Sequence, residues 1–149
     1  MEDLDEHDRQ ILRLLDDDGR MSYTDLAKAT KLSTSAVHQR VRRLEQRGVI
    51  KGYSAIIDIE AIGLPLTAFI SVSPIDPADP DDIADRLAPL RAVEGCYSVA
   101  GDQNYVLKVR VASPSALEAL LSDIRSTAHV TSRTTVVLSI PFEHRPPVV

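Results

Sequence analysis

The N-terminal third of the chain contains three blocks in which apolar positions recur at helical spacing. In the first block, the apolar positions between Ile11 and Leu15 follow Asp5, a helix-capping residue type, and precede Gly19, a residue type that often ends a helix. This block predicts a helix over residues 6–17.

Two more helices are predicted after the first. Ser22 and Asp25 form a variant of the capping box, with aspartate in place of the usual glutamate, and predict a helix over 23–30. Ser33 offers the next cap, and apolar residues at alternating spacings predict a helix over 34–47. Three short helices joined by tight turns are typical of a helix-turn-helix module, although a generic three-helix core shows the same periodicity.

The remainder of the chain alternates strand and helix signals. β-Branched residues predict a strand over 49–57, and a linker then ends at Pro65. Both later helices are expected to begin at a capping residue followed by proline, Asp79-Pro80 and Ser113-Pro114. The predicted elements beyond the linker are strands over 66–72, 93–99, 105–111 and 130–140, and helices over 80–90 and 114–127.

This βαββαβ order is the ferredoxin-like split unit, in which two helices cover one face of a four-stranded antiparallel sheet. We therefore expect an α+β fold with an N-terminal, winged-helix-like helix-turn-helix domain (1–52), a strand and linker (53–65), a ferredoxin-like domain (66–141) and a tail (142–149). One set of alternating strand positions is apolar and should face the helices: Leu66, Ala68, Ile70, Val72, Tyr105, Leu107, Val109, Val111, Val136, Leu138 and Ile140.

The opposite face of the predicted sheet is also partly apolar, because it carries Phe69, Cys96, Val106 and Val137. An apolar sheet face on a small domain is normally covered, and a second copy of the same chain is the simplest cover. We therefore expect a homodimer formed through this face.

Composition narrows the possible functions. The chain has 149 residues, of which 44% are hydrophobic and 26% charged, so disorder is excluded. No run approaches the roughly 18 apolar residues of a membrane helix, and the acidic start differs from a secretion signal, so we expect a cytoplasmic protein without membrane contact. Cys96 is the only cysteine and the four histidines are scattered, so we expect no metal site and no cofactor.

Positive charge is confined to one segment. Residues 31–52 hold six basic residues against Glu45 alone, whereas the segments before and after each carry a net charge of −5. A solvated helix face is the usual explanation of such a run. Its four arginines within eight positions favour instead a surface that binds double-stranded DNA.

The third helix directs polar side chains away from its apolar side. Early positions of such a helix reach base edges, where glutamine pairs with adenine and arginine with guanine, and later basic residues reach phosphates. A plainer explanation exists for single residues, since Arg40 could pair with a nearby acid and His38 could be merely solvated. We expect base contacts from Thr34, Ser35, His38, Gln39 and Arg42, and phosphate contacts from Arg40, Arg43, Arg47 and Lys51.

Motifs in both halves of the chain point to one family. In the first half they are Leu4-Asp5, Asp25-Leu26-Ala27 and the run from Gly48 to Tyr53, and in the second half Gly101–Leu107 and Arg133–Leu138. With these motifs the sequence resembles the Lrp/AsnC, or feast/famine, transcriptional regulators. The runs Cys96–Gly101 and Val109–Ser113 make it particularly similar to the actinobacterial members. The resemblance implies an amino-acid-responsive, DNA-binding regulator that forms dimers and assembles further into tetramers or octamers.

The resemblance also implies an effector pocket between dimers, at the turn before the third sheet strand and against the last strand. In this chain the pocket would comprise Ala100, Gly101, Asp102, Asn104, Tyr105, Thr134 and Thr135. Asp102 can balance an ammonium group, and backbone N–H groups and threonine hydroxyls can bind a carboxylate. Asn104 stands where many members carry aspartate, so either Asp102 alone serves the ammonium group or the effector binds weakly or not at all.

Two alternative functions remain open at this stage. An architectural DNA-binding protein without an effector would need only the basic helix. A siroheme-decarboxylase-like enzyme would share the two-domain layout, but it needs a histidine and arginine cluster that the sequence does not show. We therefore expect no catalytic residues.

Overall fold

The computed structural model describes residues 4–145, and the chain divides into two compact units. Among the described residues, the first unit comprises 4–56 and 142–145, whereas the second unit spans Ile57–Pro141. Positions 1–3 and 146–149, which belong to the predicted N-terminal domain and tail, lie outside the described residues.

The first unit contains the three predicted helices: α1 (Glu6–Asp17), α2 (Tyr23–Thr30) and α3 (Thr34–Gln46). Each begins at the expected cap, because the Asp5 carboxylate accepts the Asp8 N–H at 2.8 Å, and the Ser22 and Ser33 hydroxyls accept backbone N–H groups of α2 and α3. Their apolar sides form one core of Ile11, Leu26, Ala27, Val37, Val41 and Leu44. The helix-turn-helix prediction is confirmed.

The end of α3 is a Schellman motif. Gly48 adopts a left-handed φ of 69°, and the Val49 N–H donates to the Leu44 carbonyl at 2.9 Å. Glycine takes this conformation without the steric cost that a Cβ brings.

The prediction of a strand over 49–57 is wrong for the described chain. A strand needs a neighbouring strand to which it is hydrogen-bonded, and in the described chain this segment has no such neighbour.

The second unit contains four strands and two helices: β1 (Leu66–Pro74), α4 (Ile83–Leu87), β2 (Val93–Ser98), β3 (Tyr105–Val111), α5 (Pro114–Ala128) and β4 (Val130–Val136). The strands form an antiparallel sheet in the order β2-β3-β1-β4. Side chains alternate between the two faces of the sheet, so Ala68, Ile70 and Val72 of β1 are buried with Leu107 and Val109 of β3 against the helices. The ferredoxin-like prediction is confirmed.

Helix α4 is shorter than predicted and begins at a different cap. The helix starts after Asp82, not at Asp79-Pro80, because the Asp76 carboxylate and carbonyl accept backbone N–H groups and hold the preceding segment in turns. Pro89 lies inside the predicted range of 80–90 and has no N–H to donate, so it ends the helix early.

The last strand, β4, is shorter than predicted, and its final apolar side chains are not buried. β4 ends at Val136, and both Leu138 and Ile140 are exposed instead of facing the helices. The Val137 N–H donates to the Thr67 carbonyl at 2.9 Å, close to the point where β1 begins at Leu66, so the chain beyond leaves the sheet. Val136 lies at the helix-facing parity but is also exposed.

The prediction that Cys96 lies on the open face of the sheet is wrong. An extra residue, Glu94, forms a bulge that shifts the pairing of β2 with β3. Cys96 therefore pairs with Leu107 at the helix-facing parity, and Tyr97 takes its place on the open face.

Candidate nucleic-acid interface and ligand cleft

The five residues predicted to contact bases all lie exposed on α3 or at its start: Thr34, Ser35, His38, Gln39 and Arg42. Ser35, Gln39 and Arg42 lie opposite the buried side of α3, which carries Val37, Val41 and Leu44. His38 lies on the flank of this outer side, and Thr34 is exposed because it is the first residue of the helix. In the part of the chain that the structure describes, Arg42 makes no hydrogen bond or ion pair. This face can therefore enter a groove with its donors and acceptors available.

Helix α2 holds one end of this face in place. The Tyr23 ring meets the His38 ring edge to face, with 5.0 Å between ring centroids and 72° between planes. Lys31, the C-terminal cap residue of α2, adopts a left-handed φ of 57°, so α2 ends there and the chain turns before α3 begins. This geometry is that of a helix-turn-helix, with α3 as the second, groove-binding helix.

Two of the predicted phosphate contacts are engaged by acidic groups of the same unit. The Arg40 guanidinium donates to Asp5 at 2.6 Å and to Asp8 at 2.7 Å, and Arg43 donates to both Asp8 oxygens at 3.0 and 3.3 Å. The Asp8 side chain is 1% exposed, compared with 24% for Arg40 and 48% for Arg43. Arg40 is therefore not available as the open phosphate contact that the sequence suggested, whereas Arg43 still reaches solvent.

The charge network also shifts two pKa values. The Asp8 N–H first, and the Arg40 guanidinium second, hold the pKa of the Asp5 carboxyl below its ordinary value of 3.8. The same contacts, with Asp5 and then Asp8, raise the pKa of Arg40 above its usual range. Both groups therefore remain charged at neutral pH.

This network predicts how the helical unit responds to acid. Because the folded-state pKa of Asp5 is depressed, its contribution to stability is present above pH 3.8 and is lost as the pH falls through the folded pKa. We expect Asp5→Asn, which keeps a capping side chain but loses the charge, to unfold at higher pH in an acid titration followed by circular dichroism. Asp17→Asn, at an exposed position of α1, is the matched control and should leave the acid midpoint unchanged.

The remaining phosphate candidates follow the recognition helix. Lys51 is exposed, and half-buried Arg47 is the C-terminal cap residue of α3. The Tyr53 hydroxyl donates to the Glu45 carboxylate at 3.0 Å, which ties the segment containing Lys51 to α3. Burial and the Glu45 charge raise the pKa of Tyr53 to about 12, so this link persists at neutral pH.

A polar cleft lies in the second unit, beside the turn between β2 and β3. It has a volume of about 400 Å³, and it contains one predicted effector residue, Asp102. The Asn104 N–H donates to the Val72 carbonyl at 3.1 Å, which fixes the turn against the end of β1. The cleft is lined by Ser71, Ser73, Asp102, Gln103, Thr131, Ser132 and Arg133.

The other predicted effector residues do not converge on this cleft within one chain. Ala100, Gly101 and Asn104 lie exposed in the same turn. Tyr105 is buried on the helix-covered face, where its hydroxyl donates to Asp81 at 2.6 Å, and this bond raises the pKa of its phenol. Thr134 and Thr135 pair with Ile70 and Phe69 and thus lie on opposite faces of the sheet.

The sequence predictions missed most of the residues that line the cleft. In the ferredoxin-like order, β1 lies between β3 and β4, so the beginning of β4 is level with the end of β1 and the turn before β3. That order alone places Thr131, Ser132 and Arg133 nearer to Asp102 than Thr134 and Thr135. Arg133 offers the guanidinium that the predicted set lacked.

The described residues show neither a metal-ligand cluster nor a membrane-spanning helix. Residues 4–145 contain no cluster of three histidine, cysteine, aspartate or glutamate side chains arranged to hold a metal ion. The same residues contain no helix long and apolar enough to cross a membrane.

The fold and the two sites define a two-part class of protein, with a helix-turn-helix unit joined to a ligand-binding sheet unit. Family models support both parts: residues 4–51 match a winged helix-turn-helix DNA-binding model, and residues 67–147 match the Lrp/AsnC ligand binding domain. The chain belongs to the Lrp/AsnC family.

Individual relatives agree with this assignment. The chain is 52% identical over 144 residues to the HTH-type transcriptional regulator LrpA of Mycobacterium tuberculosis, covering 97% of this chain and 96% of that protein. It superimposes on a feast or famine regulatory protein from M. tuberculosis complexed with L-methionine, with a TM-score of 0.96, 50% identity and coverage of 99% and 100%. A transcriptional regulator from Neisseria meningitidis in complex with L-methionine gives a TM-score of 0.88 at 28% identity, with coverage of 95% and 94%.

Proposed function

We propose that this chain is a sequence-specific, DNA-binding transcriptional regulator whose DNA affinity responds to a free amino acid. The exposed polar face of α3 carries the proposal, because Gln39 and Arg42 have the side chains that distinguish base pairs in the major groove. The relatives are transcriptional regulators, which favours this function over a siroheme-decarboxylase-like enzyme. We assign DNA binding to residues 1–52 and ligand binding with assembly to residues 66–141, in a cytoplasmic protein.

Selective DNA binding is tested by fluorescence anisotropy on the DNA upstream of the protein's own gene, against a scrambled duplex of equal length. We expect tighter binding to the upstream DNA, together with an affinity that falls as salt rises because phosphate contacts release counterions. Equal affinity for both duplexes would favour an architectural DNA-binding protein.

The polar cleft is proposed as the effector site, because it holds both charges that a zwitterion needs. The Asp102 carboxylate can accept from an α-ammonium group, and the Arg133 guanidinium can donate to an α-carboxylate. Ser71, Ser73 and Thr131 add hydroxyls that can accept or donate. The L-methionine complexes of two structural relatives support an amino acid as the ligand.

Removing one charge from the cleft should weaken binding of the amino acid. We expect Asp102→Asn to raise the Kd for L-methionine about tenfold or more, since a hydrogen bond to a charged group contributes about 1.5–3 kcal/mol. Isothermal titration calorimetry measures this change. Asp123→Asn, an exposed position on α5, is the control. An unchanged Kd in Asp102→Asn would remove Asp102 from the site.

The open face of the sheet is proposed as the dimer interface, as the sequence suggested. Phe69 and Tyr97 are large and exposed there, and Tyr97 folds over Gly95, where a Cβ would come within 2.7 Å of its hydroxyl oxygen. We propose that such dimers assemble further into tetramers or octamers. Exposed aromatic side chains on a sheet face are typical of a surface that a second copy covers.

Sedimentation of a dilution series tests the dimer. We expect the wild-type chain to remain dimeric or larger at micromolar concentration, and Phe69→Asp to shift it toward a monomer because a carboxylate is costly to bury. Lys108→Ala, opposite Phe69 in the ladder, is a milder control on the same face. A monomeric wild-type chain at micromolar concentration would overturn the proposed interface.

A further inference from the structure

The carboxylate of Asp8 lies outside the recognition helix but contacts two of its arginines. Its side chain is 1% exposed, and its two oxygens accept from Arg40 at 2.7 Å and from Arg43 at 3.0 and 3.3 Å. A carboxylate this deeply buried is normally held by ion pairs, and here both cations come from α3. The network therefore ties the position of α3 to α1.

The two arginines differ in what they can still bind. The Arg40 guanidinium is 24% exposed and is shared between Asp5 and Asp8, so its charge is balanced inside the unit. The Arg43 guanidinium is 48% exposed and contacts Asp8 through one nitrogen, Nη2. A guanidinium has five N–H donors in a rigid fork, so Arg43 can keep this contact and still donate outward.

Resting on the proposed DNA-binding function, we propose that Asp8 is a positioning residue for DNA recognition. It fixes Arg43 as a phosphate contact at a set place beside α3 and holds Arg40 away from the phosphates. This arrangement lowers the positive charge that non-specific DNA encounters, because two of the six basic residues in 31–52 are paired with acids of α1 and its cap. Asp8 thereby favours binding of α3 at one position on the DNA over non-specific binding to the phosphate backbone.

The salt dependence of DNA affinity separates the two arginines. Each phosphate contact contributes about 0.9 to the slope of log affinity against log salt, which is about a 3.5-fold change in affinity for a fourfold change in salt. For each subunit on the duplex, we expect Arg43→Ala to reduce the slope by about 0.9 and Arg40→Ala to leave it unchanged. Anisotropy titrations on the upstream and scrambled duplexes provide both values, and circular dichroism shows the folded fraction of each variant.

The role of Asp8 itself is tested with Asp8→Asn, which preserves shape and removes the charge. We expect it to steepen the slope by up to about one per subunit, because Arg40 then keeps only the half-exposed Asp5 as an ion-pair partner and gains access to phosphate, and to reduce the ratio of upstream to scrambled affinity. A purely structural role would leave slope and ratio unchanged in the folded fraction. Adding Arg40→Ala to Asp8→Asn should return the slope to the wild-type value.

These titrations distinguish a failure of the inference about Asp8 from a failure of the proposed function. Equal losses of slope in Arg40→Ala and Arg43→Ala, or no loss in Arg43→Ala, would overturn the inference while leaving DNA binding intact. An Asp8→Asn protein that fails to fold leaves the comparison of the two arginine variants as the deciding test. A wild-type protein that binds neither duplex would instead overturn the proposed function itself.

Discussion

Replacing Arg42 with alanine is expected to reduce affinity for the upstream DNA about 5- to 150-fold and to relax the sequence preference. An arginine that contacts a guanine edge with two hydrogen bonds contributes about 1–3 kcal/mol of discrimination against the wrong base. Arg42 is exposed on the outer face of α3, and in the described part of the chain it has no partner that competes with a base. Anisotropy on a panel of duplexes with single base changes measures both effects.

Arg47→Ala removes an expected phosphate contact and is compared with Arg42→Ala, which removes an expected base contact. Arg47 lies at the C-terminal end of α3, so we expect its loss to weaken binding equally on all duplexes and to reduce the salt slope by about one. If Arg42→Ala and Arg47→Ala lose affinity equally on every duplex, the separation of base contacts from phosphate contacts is wrong.

The second large effect is on folding: Leu44→Ala should lower the free energy of unfolding by about 2–5 kcal/mol. Leu44 is fully buried in the core of the helical unit, together with Ile11 and Val41. Its backbone carbonyl also receives the Val49 and Ile50 N–H groups that close α3, so the buried side chain lies where the recognition helix ends. Urea unfolding followed by far-ultraviolet circular dichroism measures the change.

Gln46→Ala is a suitable control for this substitution, because Gln46 is on the same helix but exposed. Surface substitutions of this kind usually change stability by less than about 0.5 kcal/mol. A loss for Leu44→Ala that is no larger than the loss for Gln46→Ala would contradict the packing described for α3.

Local signals explain why the helices of the first unit were predicted to within one residue. Asp5, Ser22 and Ser33 each lie at the start of a helix and bond to a backbone N–H three residues later. Such bonds depend on neighbours in sequence, so they can be recognised without knowledge of the fold. The strand predicted over 49–57 failed for the opposite reason, because strand formation depends on a distant partner.

Long-range pairing also explains what the sequence did not reveal about the sites. Asp5 and Asp8 are 35 and 32 positions away from Arg40, so the sequence left a pairing of Arg40 open but did not identify these two partners. The exposed face of α3 was predictable because it follows from helical rotation alone. Of the residues that line the cleft only Asp102 was predicted, because the other wall is contributed by β4 across the intervening β1.

The most direct test of the central claim is whether an amino acid changes the affinity of this protein for its DNA. The anisotropy titration on the upstream duplex is repeated with each common amino acid, for the wild-type chain and for Asp102→Asn. We predict that one group of amino acids, L-methionine among them, shifts the affinity of the wild-type chain and that the shift is reduced in Asp102→Asn. Identical affinities with and without every amino acid would contradict the account.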